Sequence, residues 1–377
     1  MTRRDIFFVG NEVNELGGVG RWQIQMARLL AERGHRVKVV GIAPPHAPME
    51  LSDPPFETAT LYARRPPSRP KPRFKLGRLD PAVRRAEGHM QAAADKLTRM
   101  FRAAGPGAVI IVTQVWAMEW VALADTAGHI VIGMSHEAFE TSKKSSRFER
   151  VKTYYKDVDR LLVLTQEDAD RWAVEGMNNV GFMPNPLPLA PTEETSERTE
   201  KVVLSVGRLS HEKGIDMLLD AWAEASRQQP GWVLRLHGTG DQEAALKQRC
   251  AELGLDDSVD FAGQTDDVPA ALRQASVFAL SSRGEGFPLA LLEAMAFGLP
   301  CAAFDCAPGV HEIITDGEDG LLARPGNTTE LAERLVRLMS DEELRETMGE
   351  KARRSVQRYS PKHITDRWEE LFAFLER

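Results

Sequence analysis

Short apolar runs alternate along the chain with longer segments in which apolar residues recur every three or four positions. In the first half the runs are Asp5–Val9, Arg36–Gly41, Ala108–Val112, Ile130–Gly133 and Arg160–Leu164. In the second half they are Lys201–Val206, Trp232–Leu236, Val277–Leu280, Cys301–Phe304 and Gly320–Ala323. Runs this short, without clean apolar–polar alternation, suit parallel strands covered on both faces. Strands separated by helical patterns imply right-handed βαβ units in each half. Between the halves, Pro184-Asn185-Pro186-Leu187-Pro188 and the polar stretch that follows deny a continuous sheet its ladder hydrogen bonds, so a linker is expected there. Near the end, Ser360 and Pro361 are a helix start. Ile364, Trp368, Leu371, Phe372 and Leu375 then recur at helical spacing, which predicts a helix with one packed face.

Length agrees with two cores rather than one, since 377 residues exceed an ordinary single domain. With 42% apolar and 27% charged residues the chain reads as globular. No apolar run approaches the roughly 20 residues of a membrane span, and the opening residues run straight into a strand without a leader pattern. Three cysteines, Cys250, Cys301 and Cys306, suit a reducing compartment and lack metal-ligand spacing. The expected location is cytoplasmic, with room for peripheral contact at the inner face of a membrane. The net charge of −7 is divided unevenly. Residues 1–190 hold 27 Lys and Arg against 21 Asp and Glu, and the remainder hold 21 against 34. Two halves of opposite sign are expected to meet different partners.

Three constellations sit where a predicted strand gives way to a helix, the ligand-binding edge of a parallel sheet. Gly17-Gly18-Val19-Gly20-Arg21 opens a helix after the first strand. Its glycines and free amides could approach an anion, or it could be a tight turn with no ligand. Val206–Gly214 places Arg208 and Lys213 a loop apart, suited to neutralising a diphosphate leaving group, or else two solvated charges. Ser281–Ala296 carries Glu285 and Glu293 eight positions apart within a markedly apolar run. Gly286 allows a turn there and Pro288 suits a helix start. Glu293 is placed two turns into that helix, where a carboxylate could accept two ribose hydroxyl hydrogen bonds.

These blocks together resemble the retaining GT-B glycosyltransferases of family 4 (group 1). The resemblance rests on EGFPLALLEAMAFGLP with its Glu285-x7-Glu293 spacing, and on GGVGR at 17–21, VGRLSHEKG at 206–214, HGTGD at 237–241 and DGEDGLL at 316–322. It implies an α/β GT-B architecture, two Rossmann-like doubly wound domains facing across a cleft. Residues 1–188 would form an acceptor-side domain, 189–200 a linker and 201–358 the nucleotide-sugar domain. The helix in 359–377 would cross back to the first domain. Residue by residue, it implies Arg208 and Lys213 on the donor diphosphate, Glu293 on ribose and Glu285 on hydroxyls of the transferred sugar. His136 would lie near the reacting sugar. Gly17, Gly18, Gly238, Gly286, Phe287, Pro288 and Leu289 would line the donor, Pro288 without an N–H to give. The implied reaction moves a hexose or N-acetylhexosamine from a nucleotide sugar, a UDP-sugar before GDP-mannose, to a hydroxyl of a glycan, lipid-linked or cell-envelope polymer acceptor. Phe304–Ile314 is similar to a subset acting on envelope polymers such as teichoic acids, departing from it at Ala307, Val310 and His311.

Other classes are open to the same residues. A non-catalytic nucleotide-sugar sensor could share the fold, although the full set of His136, Arg208, Lys213, Glu285 and Glu293 argues for an enzyme. An NAD-linked oxidoreductase lacks its ribose-binding acid, because Val40-Gly41-Ile42-Ala43-Pro44 stands at the end of the second strand. Asp157-Val158-Asp159 and Asp168-Ala169-Asp170 spell DxD but fall at helix and strand boundaries, so neither a metal nor another cofactor is expected. Finally, Arg64–Arg78 has seven cations, four prolines and no acid. Arg69, Lys71, Arg73 and Lys75 are its candidates for an anionic acceptor or membrane surface. A nucleic-acid partner is not expected.

Overall fold

A computed structural model of the chain describes residues 3–15, 17–46, 51, 53–66, 81–188 and 195–376. It divides into two compact units, 1–183 with 365–377, and 184–364.

The first unit is a parallel sheet of seven strands. In chain order they are β1 (Asp5–Gly10), β2 (Arg36–Gly41), β3 (Glu57–Thr60), β4 (Val109–Val112), β5 (Ile130–Met134), β6 (Arg160–Val163) and β7 (Val180–Phe182). Spatially the order is β3-β2-β1-β4-β5-β6-β7, so the direction of winding reverses between β1 and β4. The helices are α1 (Gly18–Glu32), α2 (Pro81–Arg102), α3 (Val115–Val121), α4 (Phe139–Lys143), α5 (Arg147–Tyr154) and α6 (Gln166–Val174). The central strand β4, Val-Ile-Ile-Val, is buried along its whole length, as expected of a strand covered on both faces.

The second unit repeats the plan. Its strands are β8 (Val202–Val206), β9 (Val233–His237), β10 (Val259–Gly263), β11 (Val277–Leu280), β12 (Cys301–Phe304) and β13 (Gly320–Ala323). Their order is β10-β9-β8-β11-β12-β13, all parallel, with the reversal between β8 and β11. Its helices are α7 (Ile215–Gln228), α8 (Glu243–Glu252), α9 (Val268–Arg273), α10 (Leu289–Ala296), α11 (Pro308–His311), α12 (Thr328–Ser340) and α13 (Glu342–Ser355), with α14 (Pro361–Leu375) after them. Side chains of Asp267, Asn327 and Asp341 cap α9, α12 and α13, which meets the need of a helix start for acceptors.

Helix α14 begins in the second unit, but from Thr365 onward it belongs to the first. Trp368 is fully buried beside Trp22, with ring centroids 6.2 Å apart. Arg33 pairs with Asp366 and Glu369 at 2.7 and 2.6 Å, and Arg4 with Glu376 at 2.6 Å. Buried apolar rings supply the energy of this docking, at about 1.5–3 kcal/mol for each large side chain, and the ion pairs set its register. Ahead of the second sheet, Leu187 is buried and its N–H donates to the Tyr359 carbonyl. Ser196 packs likewise, its N–H on the Phe297 carbonyl and its hydroxyl on the Ala275 carbonyl. Pro184–Pro188 and 195–200 therefore lie against the second unit, where the sequence suggested a free connector.

The two doubly wound sheets expected from the pattern are present. Three strands were not foreseen, β3, β7 and β10, and each is the edge of its sheet. An edge strand needs little apolar content, and β3 is Glu-Thr-Ala-Thr, with no apolar run to read. Most of the basic segment, including Arg69, Lys71, Arg73 and Lys75, lies outside the described residues.

Candidate active site

In each unit the candidate residues lie on loops at the C-terminal ends of the strands, nearest the point where the winding reverses.

In the second unit the chain leaves β8 through Gly207 and returns into α7 by a 3-10 turn, His211–Lys213. Gly214 follows with φ +60°, and a Cβ there would fall 2.1 Å from the Ser281 carbonyl oxygen. The β8 loop thus rests directly on the β11 loop. Ser281 Oγ donates to the Lys213 carbonyl at 3.0 Å, and the Arg283 N–H donates to the Glu212 carbonyl at 2.8 Å. The Arg283 guanidinium spans the His211 carbonyl and the Asp216 carboxylate. This scaffold sets Lys213 Nζ 2.6 Å from Glu285 Oε1, and Ser282 Oγ donates to the same oxygen at 2.6 Å. Glu285 is only 11% exposed and Lys213 33%, so the pair is shielded yet within reach of a ligand. Charge-assisted hydrogen bonds of this length are the strong kind.

Neighbouring loops press in equally closely. Gly238, with φ +147°, passes so near β8 that a Cβ would sit 1.8 Å from the Gly207 carbonyl oxygen. A Cβ on Gly309, in α11, would sit 2.2 Å from the Gly286 carbonyl oxygen. Phe287 is buried edge-on against Tyr359, with centroids 5.3 Å apart. Pro288 is the N-cap of α10 and Leu289 its first residue. That helix start has no side-chain cap and no acid in its first turn. Glu293 is the fifth residue of α10, one turn in rather than two, because the helix begins only after Pro288. It is half-buried among buried Leu291, Leu292, Ala294 and Met295. Arg208 is exposed at the end of β8. Cys306 lies close by, its thiol pushed up to about 12 by burial and then by the charges of Glu285 and Asp305. It stays a neutral thiol beside the pair.

The corresponding edge of the first unit is built differently. Gly17 caps α1 at φ +138°. A Cβ added at Gly17 or Gly18 would meet no atom within 4 Å, and α1 has no side-chain cap. The loop before it is tied down by Gln23, whose Nε2 donates to the Glu12 and Val13 carbonyls, and by Gln114, whose Nε2 donates to Glu15. His136 follows β5, its ring edge-on to Trp22 with centroids 4.6 Å apart. Burial pushes its imidazole down to about 4, so at neutral pH it is the uncharged ring. Its Nε2 is sealed from solvent without a hydrogen-bond partner. His136 lines a cavity of about 190 Å³ together with Asn11 after β1, Thr113–Trp116 after β4, Ser135 and Glu137 after β5, and Arg147 and Arg150 of α5. Arg147 pairs with Glu137 at 2.5 Å and Arg150 with Glu119 at 2.6 Å. Burial pushes the Glu137 carboxyl up, the Arg147 charge opposing it.

Sequence reasoning missed Asn11, Glu137, Arg147 and Arg150. Only their places after predicted strands could have marked them. A larger open groove of about 560 Å³ lies at the opposite ends of β1 and β2, where Arg36–Asp5 and Lys38–Glu57 neutralise one another.

The DxD spellings have structural employment. Asp159 accepts from the Val131 N–H at 2.8 Å. Buried Asp168 accepts from the Phe139 N–H at 3.0 Å, and Asp170 holds Gln166. Among the described residues no cluster of three or more His, Cys, Asp or Glu could hold a metal ion. No described helix is long and apolar enough to cross a membrane. The block at 316–322 is a turn before β13, where Asp316 accepts from the Leu322 N–H and Asp319 from the Thr315 N–H.

Comparison with known proteins assigns these edges to a common architecture. Residues 16–190 match the model of Glycosyltransferase Family 4, and residues 190–355 that of Glycosyl transferases group 1. An uncharacterized glycosyltransferase of Haemophilus influenzae is 29% identical over 371 residues, covering 96% of this chain and 98% of that one. Among solved structures, S. aureus TarM in complex with fondaparinux, α-GlcNAc-glycerol and UDP superposes with a TM-score of 0.77 at 13% identity. That match covers 98% of this chain and 99% of TarM. Anabaena HepE in complex with UDP gives 0.77 at 20% identity, over 98% and 99% of the two chains.

Proposed function

We propose that this chain, a GT-B glycosyltransferase by both family models and by fold, is a retaining, metal-independent enzyme that moves a hexose or N-acetylhexosamine from a UDP-sugar to a hydroxyl of a glycan, lipid-linked or envelope-polymer acceptor. The observation that carries this reading is the shielded Lys213–Glu285 pair at the reversal point of the second sheet. Open parallel sheets bind ligands at such points. As the bond from the anomeric carbon to the diphosphate breaks, negative charge collects on the leaving oxygen. Lys213 and Arg208 neutralise it there, in the part a divalent cation plays in other architectures. Glu285 then accepts hydrogen bonds from hydroxyls of the transferred sugar, and the ammonium beside it keeps it ionised for that purpose. Glu293 accepts from the ribose hydroxyls. The free amides at the start of α10, with Gly286, Phe287 and Leu289, and the turn at Gly238 complete the donor contacts. In the first unit, Gly17 and Gly18 offer amides to phosphate, and uncharged His136 hydrogen-bonds the sugar.

UDP is favoured by the ligands of the two solved neighbours, HepE and TarM, and by the similarity of Phe304–Ile314 to envelope-polymer enzymes. Thermal-shift titration with UDP, GDP and their sugar conjugates tests the donor. At a hundred times Kd a bound nucleotide adds about 2.7 kcal/mol to stability. A shift with UDP and none with GDP is expected, and the reverse selects GDP-mannose. Product NMR in metal-free buffer then reads the anomeric configuration. An inverted product, or turnover abolished by EDTA, overturns the mechanism.

A further inference from the structure

We infer that the cavity at the ends of β1, β4 and β5 is a subsite for an uncharged sugar ring, with Asn11 and Glu137 as the residues that select it over an anionic ligand. The inference rests on the glycosyltransferase reading and specifies the acceptor side of it.

Four residues lining this one cavity each carry a polar atom that is buried without a hydrogen-bond partner: Asn11 Oδ1, His136 Nε2, Glu137 Oε2 and Arg150 Nε. Buried polar atoms are nearly always paired, and each exception calls for a reason. Four around a single space point to a ligand that pairs them together. Their chemistry specifies it. Asn11 Oδ1 and an ionised Glu137 Oε2 can only accept, Arg150 Nε can only donate, and a neutral imidazole nitrogen does either according to tautomer. A phosphate or carboxylate brings acceptors alone and would be repelled by the first two. A hydroxyl both donates and accepts, so vicinal hydroxyls on a ring can satisfy all four.

The charges agree. The guanidiniums of Arg147 and Arg150 would attract an anion if they were free, but Glu137 and Glu119 already match them. Burial pushes the Glu137 carboxyl up, so the site resists further negative charge. Half-buried Trp116 supplies an apolar wall suited to the C–H face of a ring.

Saturation-transfer NMR on the full chain provides the test. Methyl α-glucopyranoside and methyl N-acetyl-α-glucosaminide are the neutral probes, and glucuronate and glycerol 3-phosphate the anionic ones. The neutral glycosides should bind and the anions should not. Glu137→Gln should weaken the neutral glycosides about tenfold or more, the loss expected for one hydrogen bond to a charged group. It also strips Arg147 of its partner and should raise the glucuronate signal. A variant that had merely misfolded would lose both, and the UDP thermal shift, expected to be unchanged, reports folding independently. Asn11→Leu should weaken the neutral probes without admitting the anions. Anions binding the wild type more tightly than the neutral glycosides would overturn the inference. So would a neutral response untouched by Glu137→Gln. If UDP binds and the glycosides do not, this inference fails alone. If the glycosides bind in the stated pattern and no nucleotide does, the subsite stands and the glycosyltransferase mechanism falls.

Discussion

The two sheet edges have the same topology and opposite electrostatic states. In the second unit the functional charges are satisfied within the protein, since Lys213, Ser282 and Glu285 hold one another at 2.6 Å contacts on loops packed backbone against backbone. In the first unit the guanidiniums are matched, but polar atoms around the cavity are left buried and unpaired. A site that must meet a doubly charged diphosphate gains from an internal counter-charge that keeps it stable when empty. A site that meets hydroxyls can hold unpaired neutral groups at a smaller cost, since an unpaired buried charge is far more expensive than an unpaired amide.

Breaking the pair is the sharpest challenge to this contrast. Lys213→Ala should lower turnover roughly 10²–10³-fold, as removing one preorganised charge-stabilising donor does, and Arg208→Ala should fall in the same direction. Steady-state rates within a few-fold of wild type in both variants would remove the diphosphate role from this loop.

Acid should weaken the first unit through His136. Its folded value near 4 lies below the usual 6.5, so the stability held above pH 6.5 is lost as pH falls through that window toward 4. The full loss would approach about 3 kcal/mol. Glu137 and Asp168, whose carboxyls burial pushes up, act in the opposite sense in acid. Denaturant unfolding of wild type and His136→Gln should therefore be compared at each pH. A difference between them that does not change from pH 7 to 5 would show that the ring titrates normally.

Glu293→Gln should weaken nucleotide binding by about 1–3 kcal/mol, because a hydrogen bond to a charged group is replaced by a neutral one. Unchanged UDP affinity in calorimetry would assign Glu293 another role. The smallest effect concerns the basic segment. Neutralising Arg69, Lys71, Arg73 and Lys75 should reduce sedimentation with anionic vesicles by about 1 kcal/mol per engaged cation at low salt. Equal partition of wild type and variant at every ionic strength would leave those charges without a membrane role.

Much of this was legible in the sequence, for identifiable reasons. Interior strands such as β4 and β11 declare themselves because both faces must be apolar. The edge strands β3, β7 and β10 do not, because solvent or a loop covers one side. Lys213 and Glu285 stood out singly by motif. Their mutual contact could not, since it depends on β8 and β11 being neighbours across 72 residues of chain. The cavity was the least legible feature. Asn11, Glu137 and Arg150 matter through what they lack, and an unpaired atom has no sequence signature.

The placement of α14 bears on the order in which the protein is made. The first unit's strands leave the ribosome early, but its packing is finished only by residues from Thr365 onward, about 180 residues after Met183. At roughly 5–20 residues per second that is a wait on the order of ten to forty seconds. During it the faces of Trp22 and Arg33 that receive Trp368 and Glu369 stay open to other contacts, while all of the second unit is synthesised. The half of the protein translated first is thus the half completed last.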